Sequence, residues 1–252
     1  MKTIKLLVIA IFCTITLWSQ SQNKIPLIGA EAPSFKANTT NGKINFPEDF
    51  GDSWKILFSH PKDFTPVCTS EILQLALMQK DFDALDVKFA VLSTDDLSQH
   101  QLWKQSIEKV IKDNYEATTI KFPFIEDPKA VISRKYGMIH DMISTTEDVR
   151  GVFIIGPENK IRSINFYPME IGRNLHEIKR TVIALQITDE YKVLTPVNWD
   201  YGDDVLVPYR PDIADYFENN AELSRQYFYN IGNFMWYKVN TDNELMNFIR
   251  KK

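Results

Sequence analysis

Residues 60–71 read HPKDFTPVCTSE and hold Cys68, one of two cysteines in a chain of 252 residues. A free thiol, with an ordinary pKa near 8.5, is only about 3% ionised at pH 7, so a reactive one needs help in forming the thiolate. Thr65-Pro66 is a helix-start signal, a hydroxyl residue at the N-cap followed by a proline at the first helical position. Cys68 then falls at the third helical position, where unpaired N–H groups and the positive end of the helix dipole favour an anion. Bringing a thiol to a pKa of about 6 takes roughly 3 kcal/mol, within reach of a helix end and one guanidinium. The competing reading of Cys68 is a small, buried, inert hydrophobe. Taken singly, the other candidates also have plain readings: Thr65 as a cap, His60 as a strand-end histidine with satisfied bonds, Arg150 as a solvated charge.

The elements that must position these residues alternate between strand and helix. WKILFS (Trp54 to Ser59) is a short apolar run bounded by turn signals and reads as a buried strand ending at His60-Pro61. The helix opening at Thr65-Pro66 carries Ile72, Leu75, Ala76 and Phe82 at helical spacing up to Asp83. VKFAVLST (Val87 to Thr94) reads as a strand and Leu97 to Lys112 as a helix. FPFIEDP (Phe122 to Pro128) reads as an extended segment, with a short helix through Tyr136 after it. GVFIIGPENKIRSINFY is a pair of strands around a Gly156-Pro157-Glu158-Asn159 turn, and Asn174 to Asp189 a final helix. Residues 23–53, rich in turn residues, are expected to be mostly loop. This order predicts an α/β layer structure with a thioredoxin-like sheet.

Both ends differ from this middle. Lys2 and Lys5 precede an apolar run from Leu6 to Trp18, a secretory signal pattern over residues 1–20 with cleavage expected near Ser19 or Gln20. The run is shorter than the roughly 20 residues of a comfortable membrane span; an uncleaved membrane anchor is the alternative. Cys13 would leave with this segment, so Cys68 would be the one thiol of an exported protein and no internal disulfide could form. The main domain is expected over 25–190. Residues 191–252, proline-rich and then aromatic from Tyr227 to Tyr237, are expected to pack on it or on a second subunit of a homodimer. With 44% hydrophobic residues the chain can bury a full core. Its formal charge of −4, lowered by two once Lys2 and Lys5 are removed, argues against nucleic acid as a partner.

PKDFTPVC contains the P-x-x-x-T-x-x-C pattern of peroxiredoxins, and with His60 before it and Thr69-Ser70-Glu71 after, it resembles the 1-Cys peroxiredoxin subfamily. The similarity runs through GDSWKILFSHP, FAVLSTDD, FPFIEDP, RGVFIIGP, YPMEIGRNLHEIKR and TPVNWDYGDDVLVP, over roughly residues 25–208. It implies a thioredoxin-like peroxidase that reduces hydrogen peroxide or organic hydroperoxides. Cys68 matches the peroxidatic cysteine, whose thiolate attacks the peroxide and becomes a sulfenic acid. Thr65 matches the threonine whose hydroxyl bonds thiolate and peroxide, Pro61 the proline that shields the sulfenic acid, and Arg150 the arginine that stabilises both. Glu71 and Arg173 match a supporting pair, and His60 the histidine typical of the subfamily. Once Cys13 has left with the leader no second cysteine remains, so the mature protein is expected to need an external thiol, a thioredoxin-like protein or a small thiol, for recycling.

Some members of the subfamily also act as phospholipases through a serine in a G-x-S-x-G-like stretch. Gly51-Asp52-Ser53-Trp54-Lys55 keeps the serine, but Lys55 stands at the second glycine and Asn45-Phe46-Pro47 where the histidine belongs; Glu158 occupies the acidic position. The side activity is therefore disfavoured, because a nucleophile without its base is poorly activated. A non-enzymatic binding module built on the aromatic tail is a further alternative, against its use as buried packing area. No cofactor is expected, since no nucleotide or flavin loop occurs. No metal is expected either: His60, His100, His140 and His176 lack close ligand spacing.

Overall fold

The computed structural model describes residues 25–209 except residue 117, together with 212, 213, 219, 227–232 and 234–240. The leading segment with Cys13, its cleavage site and parts of the tail lie outside the described residues.

A first hairpin, β1 (Phe35–Thr39) and β2 (Gly42–Phe46), is followed by a short 3-10 helix at Glu48–Phe50. Here the expectation of loop is corrected. Neither strand carries a run of β-branched residues, and they hold together by backbone pairing from Phe35↔Phe46 to Thr39↔Gly42, with Phe35 stacked on Phe46. Then come β3 (Trp54–Ser59), α1 (Pro66–Asp83), β4 (Val87–Ser93), α2 (Leu97–Asn114), β5 (Phe124–Glu126) and α3 (Val131–Lys135). The strands β6 (Arg150–Ile155) and β7 (Ile161–Tyr167) and the helix α4 (Leu175–Tyr191) complete the layer. Element order and type agree with the sequence expectation from Trp54 to Tyr191, with boundaries within a few residues.

These strands form one mixed sheet in the order β2-β1-β5-β4-β3-β6-β7. β3, β4 and β5 run parallel; β6 runs antiparallel to β3, and β7 to β6. Central strands covered on both faces need no polar alternation, and β3 and β6 are buried along their full length. Ile56, Phe58, Val152 and Ile154 point into a core shared with α1, α2 and α4, whereas Leu57, Phe153 and Ile155 point into a second core with α3 and the first hairpin. This is the thioredoxin-like α/β architecture. Because β3 and β6 are antiparallel neighbours, the exit of β3 at Ser59 and the entry of β6 at Arg150 lie at the same end of the sheet.

Trp199 and Val205 belong to the same core as α1 and α4, so the start of the C-terminal segment packs on the main domain. Beyond it, β8 (Val205–Leu206), β9 (Phe228–Ile231) and β10 (Met235–Lys238) form a small sheet in the order β8-β10-β9. Tyr229 and Tyr237 stack across β9 and β10 at 4.9 Å.

Candidate active site

Thr65 occupies the N-cap of α1 in extended conformation with Pro66 at the first helical position, as the sequence suggests. Its side chain departs from that expectation. The hydroxyl does not cap the helix; Oγ1 donates to the carbonyl of Lys62 at 2.9 Å, closing the turn before it. The Thr65 hydroxyl therefore does not compete for the first turn, where a helix leaves its early N–H groups unpaired. Between Asp63 and Thr65, Phe64 adopts the left-handed region at φ 58°, a conformation that costs a non-glycine residue about 1–2 kcal/mol. The turn is held against that strain by the Thr65–Lys62 bond on one side and by Asp63 on the other, whose backbone N–H donates to Asp95 Oδ2 at 2.8 Å.

Cys68 sits in the opening turn of α1 with none of its surface exposed. Its pocket is not purely apolar: Arg150 Nη1 lies 3.3 Å from its Sγ. Arg150 is itself buried, which excludes the solvated-charge reading. Its Nε and Nη2 donate to the carbonyl of Met169, and Nη1 also donates to Glu71 Oε2 at 2.7 Å. Arg173 completes the group. Its Nη2 donates to Glu71 Oε2, its Nε and backbone N–H to Glu71 Oε1, and its Nη1 to the carbonyls of Ser59 and Gly151. The guanidinium lies over the Phe58 ring at 3.3 Å.

Burial alone would raise the Glu71 carboxyl, but the hydrogen bonds and charge of Arg173, with the charge of Arg150, outweigh it and hold Glu71 below its usual range. The buried group thus contains two guanidinium charges against one carboxylate. The surplus positive charge beside Sγ is what an anion on sulfur would neutralise. Ser59 joins the two strand ends, donating to the Val149 carbonyl and accepting from the Gly151 N–H. The expected pairing of Glu71 with Arg173 is present, and Glu71 serves both arginines.

Comparison with known proteins identifies the family. The AhpC/TSA family profile matches residues 28–164, and the C-terminal domain of 1-Cys peroxiredoxin matches residues 184–219. A peroxiredoxin of Methanosarcina mazei is 50% identical over 185 residues, spanning 73% of this chain and 84% of its own length. The chain belongs to the AhpC/TSA family. Within it, the match at the C-terminus supports a 1-Cys peroxiredoxin. The mitochondrial peroxiredoxin PRX1 of Saccharomyces cerevisiae is 41% identical over 201 residues, 76% of this chain and 74% of that protein. A solved yeast mitochondrial 1-Cys peroxiredoxin, studied for its thiol resolving mechanism via glutathione/thioredoxin systems, superposes with a TM-score of 0.71 at 38% identity. The match covers 84% of this chain and 98% of the other. A mutant of the Peroxiredoxin 6 of Arenicola marina gives a TM-score of 0.75 at 31% identity over 86% of this chain and 99% of that one. The activity is that of a thiol-dependent peroxidase.

Pro61 is buried in the loop between β3 and α1, and His60 beside it is fully buried with its ring 5.0 Å from that of Trp103. Trp103 Nε1 in turn donates to Thr69 Oγ1 at 3.2 Å, next to Cys68 in this peroxiredoxin. Sequence spacing kept the four histidines apart, and the fold corrects that reading. His60, Asp63 and His100 come together, with their ligand-type atoms within 4.8 Å of one another. Asp63 lay in the quoted motif three residues after His60 and could have been singled out; nothing in α2 marked His100 except a histidine on its buried face. Met169 was also missed, because it contributes only its carbonyl.

The Ser53 hydroxyl donates to Asp86 Oδ1 at 2.8 Å and not to a histidine. Lys55 turns its amino group to Asn159 Oδ1 at 2.7 Å, and the side chain of Glu158 is largely exposed beside Lys160. Neither the phospholipase reading nor the binding-module reading is supported.

Proposed function

We propose that Cys68 is the peroxidatic residue of this peroxidase, and the observation that carries the assignment is the contact of Arg150 Nη1 with Cys68 Sγ inside a buried group of surplus positive charge. The thiolate attacks the terminal oxygen of a hydroperoxide, the O–O bond breaks, and the departing alkoxide or hydroxide takes up a proton. Sulfur is oxidised to the sulfenic acid and the peroxide is reduced to alcohol or water. Arg150 stabilises charge on sulfur and on the peroxide oxygens, an electrostatic role. Glu71 and Arg173 hold it in place, Pro61 shields the product, and the lone pairs of Thr65 Oγ1 are free to accept from peroxide while its hydrogen is used on Lys62.

Among the described residues Cys68 is the one free thiol, so a sulfenic acid there has no resolving thiol among them. We infer recycling by an external thiol, a small thiol or a thioredoxin-like protein; the yeast relative studied with glutathione/thioredoxin systems supports both classes. Homodimer formation is inferred from β7, one of the two edge strands of the seven-stranded sheet, whose outer backbone edge past its start at Ile161, where Gly29 and Ala30 pair with it, can pair with a second copy. Export with removal of residues 1–20 is inferred from the cationic and apolar pattern of the leader, with an uncleaved anchor as the alternative.

Peroxide consumption driven by dithiothreitol tests the assignment. Cys68→Ser should abolish it, and turnover at the wild-type rate in that variant would overturn the role of Cys68. Intact-mass measurement of purified protein, with peroxide and a sulfenic-acid trap, reads the leader cleavage and the state of Cys68 together.

A further inference from the structure

Asp63 sits between two histidines. Its Oδ1 is 2.7 Å from His60 Nε2, and its Oδ2 is 2.8 Å from His100 Nδ1. His100 Nε2 is 3.1 Å from the carbonyl of Ile125 on β5. His60 and His100 are fully buried and Asp63 is 3% exposed. These contacts determine where the protons are. A carbonyl only accepts, so His100 Nε2 carries a hydrogen. A carboxylate also accepts, so a second proton is held between His100 Nδ1 and Asp63; without it, two lone pairs would face each other at 2.8 Å. His60 donates to Asp63 through Nε2, which leaves a bare lone pair on Nδ1, and that buried atom has no hydrogen-bond partner. One carboxylate, one imidazolium and one neutral ring sum to zero, the charge state that burial tolerates best.

The surroundings agree. Burial pushes His60 down, opposed by the hydrogen bond and charge of Asp63, with His100 lowering it and Asp95 raising it further. Burial would raise Asp63, but its bonds to His100 and His60 bring it below the usual carboxylate range. Asp95, after β4, accepts the Asp63 N–H and the Ser93 hydroxyl, and Asp96 caps α2 one turn before His100. The rings of Trp103 and Phe124 close the remaining sides.

Resting on the peroxidase reading, we propose that His100 is a positioning residue of the peroxide reaction. By keeping a proton between itself and Asp63, it fixes the loop His60–Thr65 to α2 and keeps His60 neutral with a free Nδ1 acceptor, one residue from Pro61. His100 acts through Asp63 and touches none of the reacting atoms described above.

Histidine nitrogen NMR of the reduced full-length protein is tractable with four histidines, and His100→Asn assigns the signals of the missing ring. The expected spectrum at neutral pH shows both His100 nitrogens protonated, and His60 protonated on Nε2 alone. A bare nitrogen on His100, or a proton on His60 Nδ1, overturns the proposal. The rate of sulfenic acid formation should fall roughly tenfold to hundredfold in His100→Leu, the scale of a misplaced reacting group. His100→Asn restores a donor to Asp63 without the extra proton. It should recover most of the rate, yet shift the acid limb of the pH profile upward, because the unneutralised Asp63 now favours protonated His60. An unshifted profile with wild-type rates overturns the proposal, and should His100→Leu not fold, His100→Asn and the spectrum decide. Failure of the peroxidase reading is a separate result: the wild type itself would then show no Cys68-dependent turnover, whatever the spectrum.

Discussion

Arg150 Nη1 approaches Cys68 Sγ to 3.3 Å although the two residues are 82 positions apart in the chain. The contact exists because β3 and β6 are antiparallel neighbours: α1 begins just past the end of one, and Arg150 opens the other. The guanidinium is aimed by two bonds to Met169 and one to Glu71, so it needs no reorganisation when charge develops on sulfur or peroxide.

Arg150→Met should therefore slow the reaction of Cys68 with hydroperoxide by about 10²-fold, the cost typical of losing one preorganised donor. Methionine fills much of the same volume, so the thermal midpoint should move far less than the rate. Trp103, bonded to Thr69 beside Cys68, supplies an intrinsic fluorescence signal for stopped-flow mixing. Equal rates in variant and wild type would remove Arg150 from the mechanism.

Glu71 holds both arginines, and its removal should be felt first in stability. Glu71→Gln leaves two buried guanidinium groups without their carboxylate, a loss of about 3–5 kcal/mol for a broken buried pair. The pH dependence has a definite sign. Since the folded-state pKa of Glu71 lies below its ordinary value of 4.5, its contribution is complete above that value and is lost as pH falls through the folded pKa. Urea midpoints should thus differ widely between wild type and Glu71→Gln at pH 7 and converge towards pH 3. A constant offset across that range would contradict the linkage.

Much of this was readable from the chain alone, for physical reasons. The β3 and β6 runs are apolar because both faces of each strand are covered, and Thr65-Pro66 begins a helix because proline lacks the N–H that the first turn cannot use. Lys55 shows a limit: a lysine in a buried strand looks like a fault until Asn159, 104 positions away, receives its amino group. The first hairpin was missed because its strength lies in pairing, which no single strand displays. His100 was missed for a similar reason, since its meaning depends on Asp63 in another loop. The Thr65 hydroxyl was assigned a capping bond by residue type; the turn at Lys62 offered it a nearer acceptor.

Asp148 should be a site where a single substitution stabilises the fold. Its carboxyl is fully buried two residues before Arg150, has no hydrogen-bond partner within bonding geometry, and faces Ser133, Asp127 and Asp95. Burial, with the two neighbouring carboxylates, pushes it well above the ordinary value of 3.8. The folded state then holds a proton that the unfolded chain releases, so stability falls as pH rises from that value towards the folded pKa. Asp148→Asn removes the titration. Its advantage over wild type in urea midpoint should grow from pH 5 to pH 8, and an advantage equal at both would show that ionisation of Asp148 is not the cause.

Cys68 combines full burial with a charged neighbour, and reagent size should separate the two properties. Small peroxides need only a narrow path to Sγ, whereas a bulky aromatic disulfide must displace the first turn of α1 before its sulfur can meet the thiol. The folded protein should then react with hydrogen peroxide rapidly and with the aromatic disulfide slowly, by a factor of about 10³ or more relative to the unfolded chain if access requires local opening of roughly 4 kcal/mol. Urea below the unfolding transition should speed the disulfide reaction and leave the peroxide reaction almost unchanged. Parallel acceleration of both would mean that peroxide, too, waits for α1 to open, and that the buried arrangement of Arg150 and Cys68 is not the reacting one.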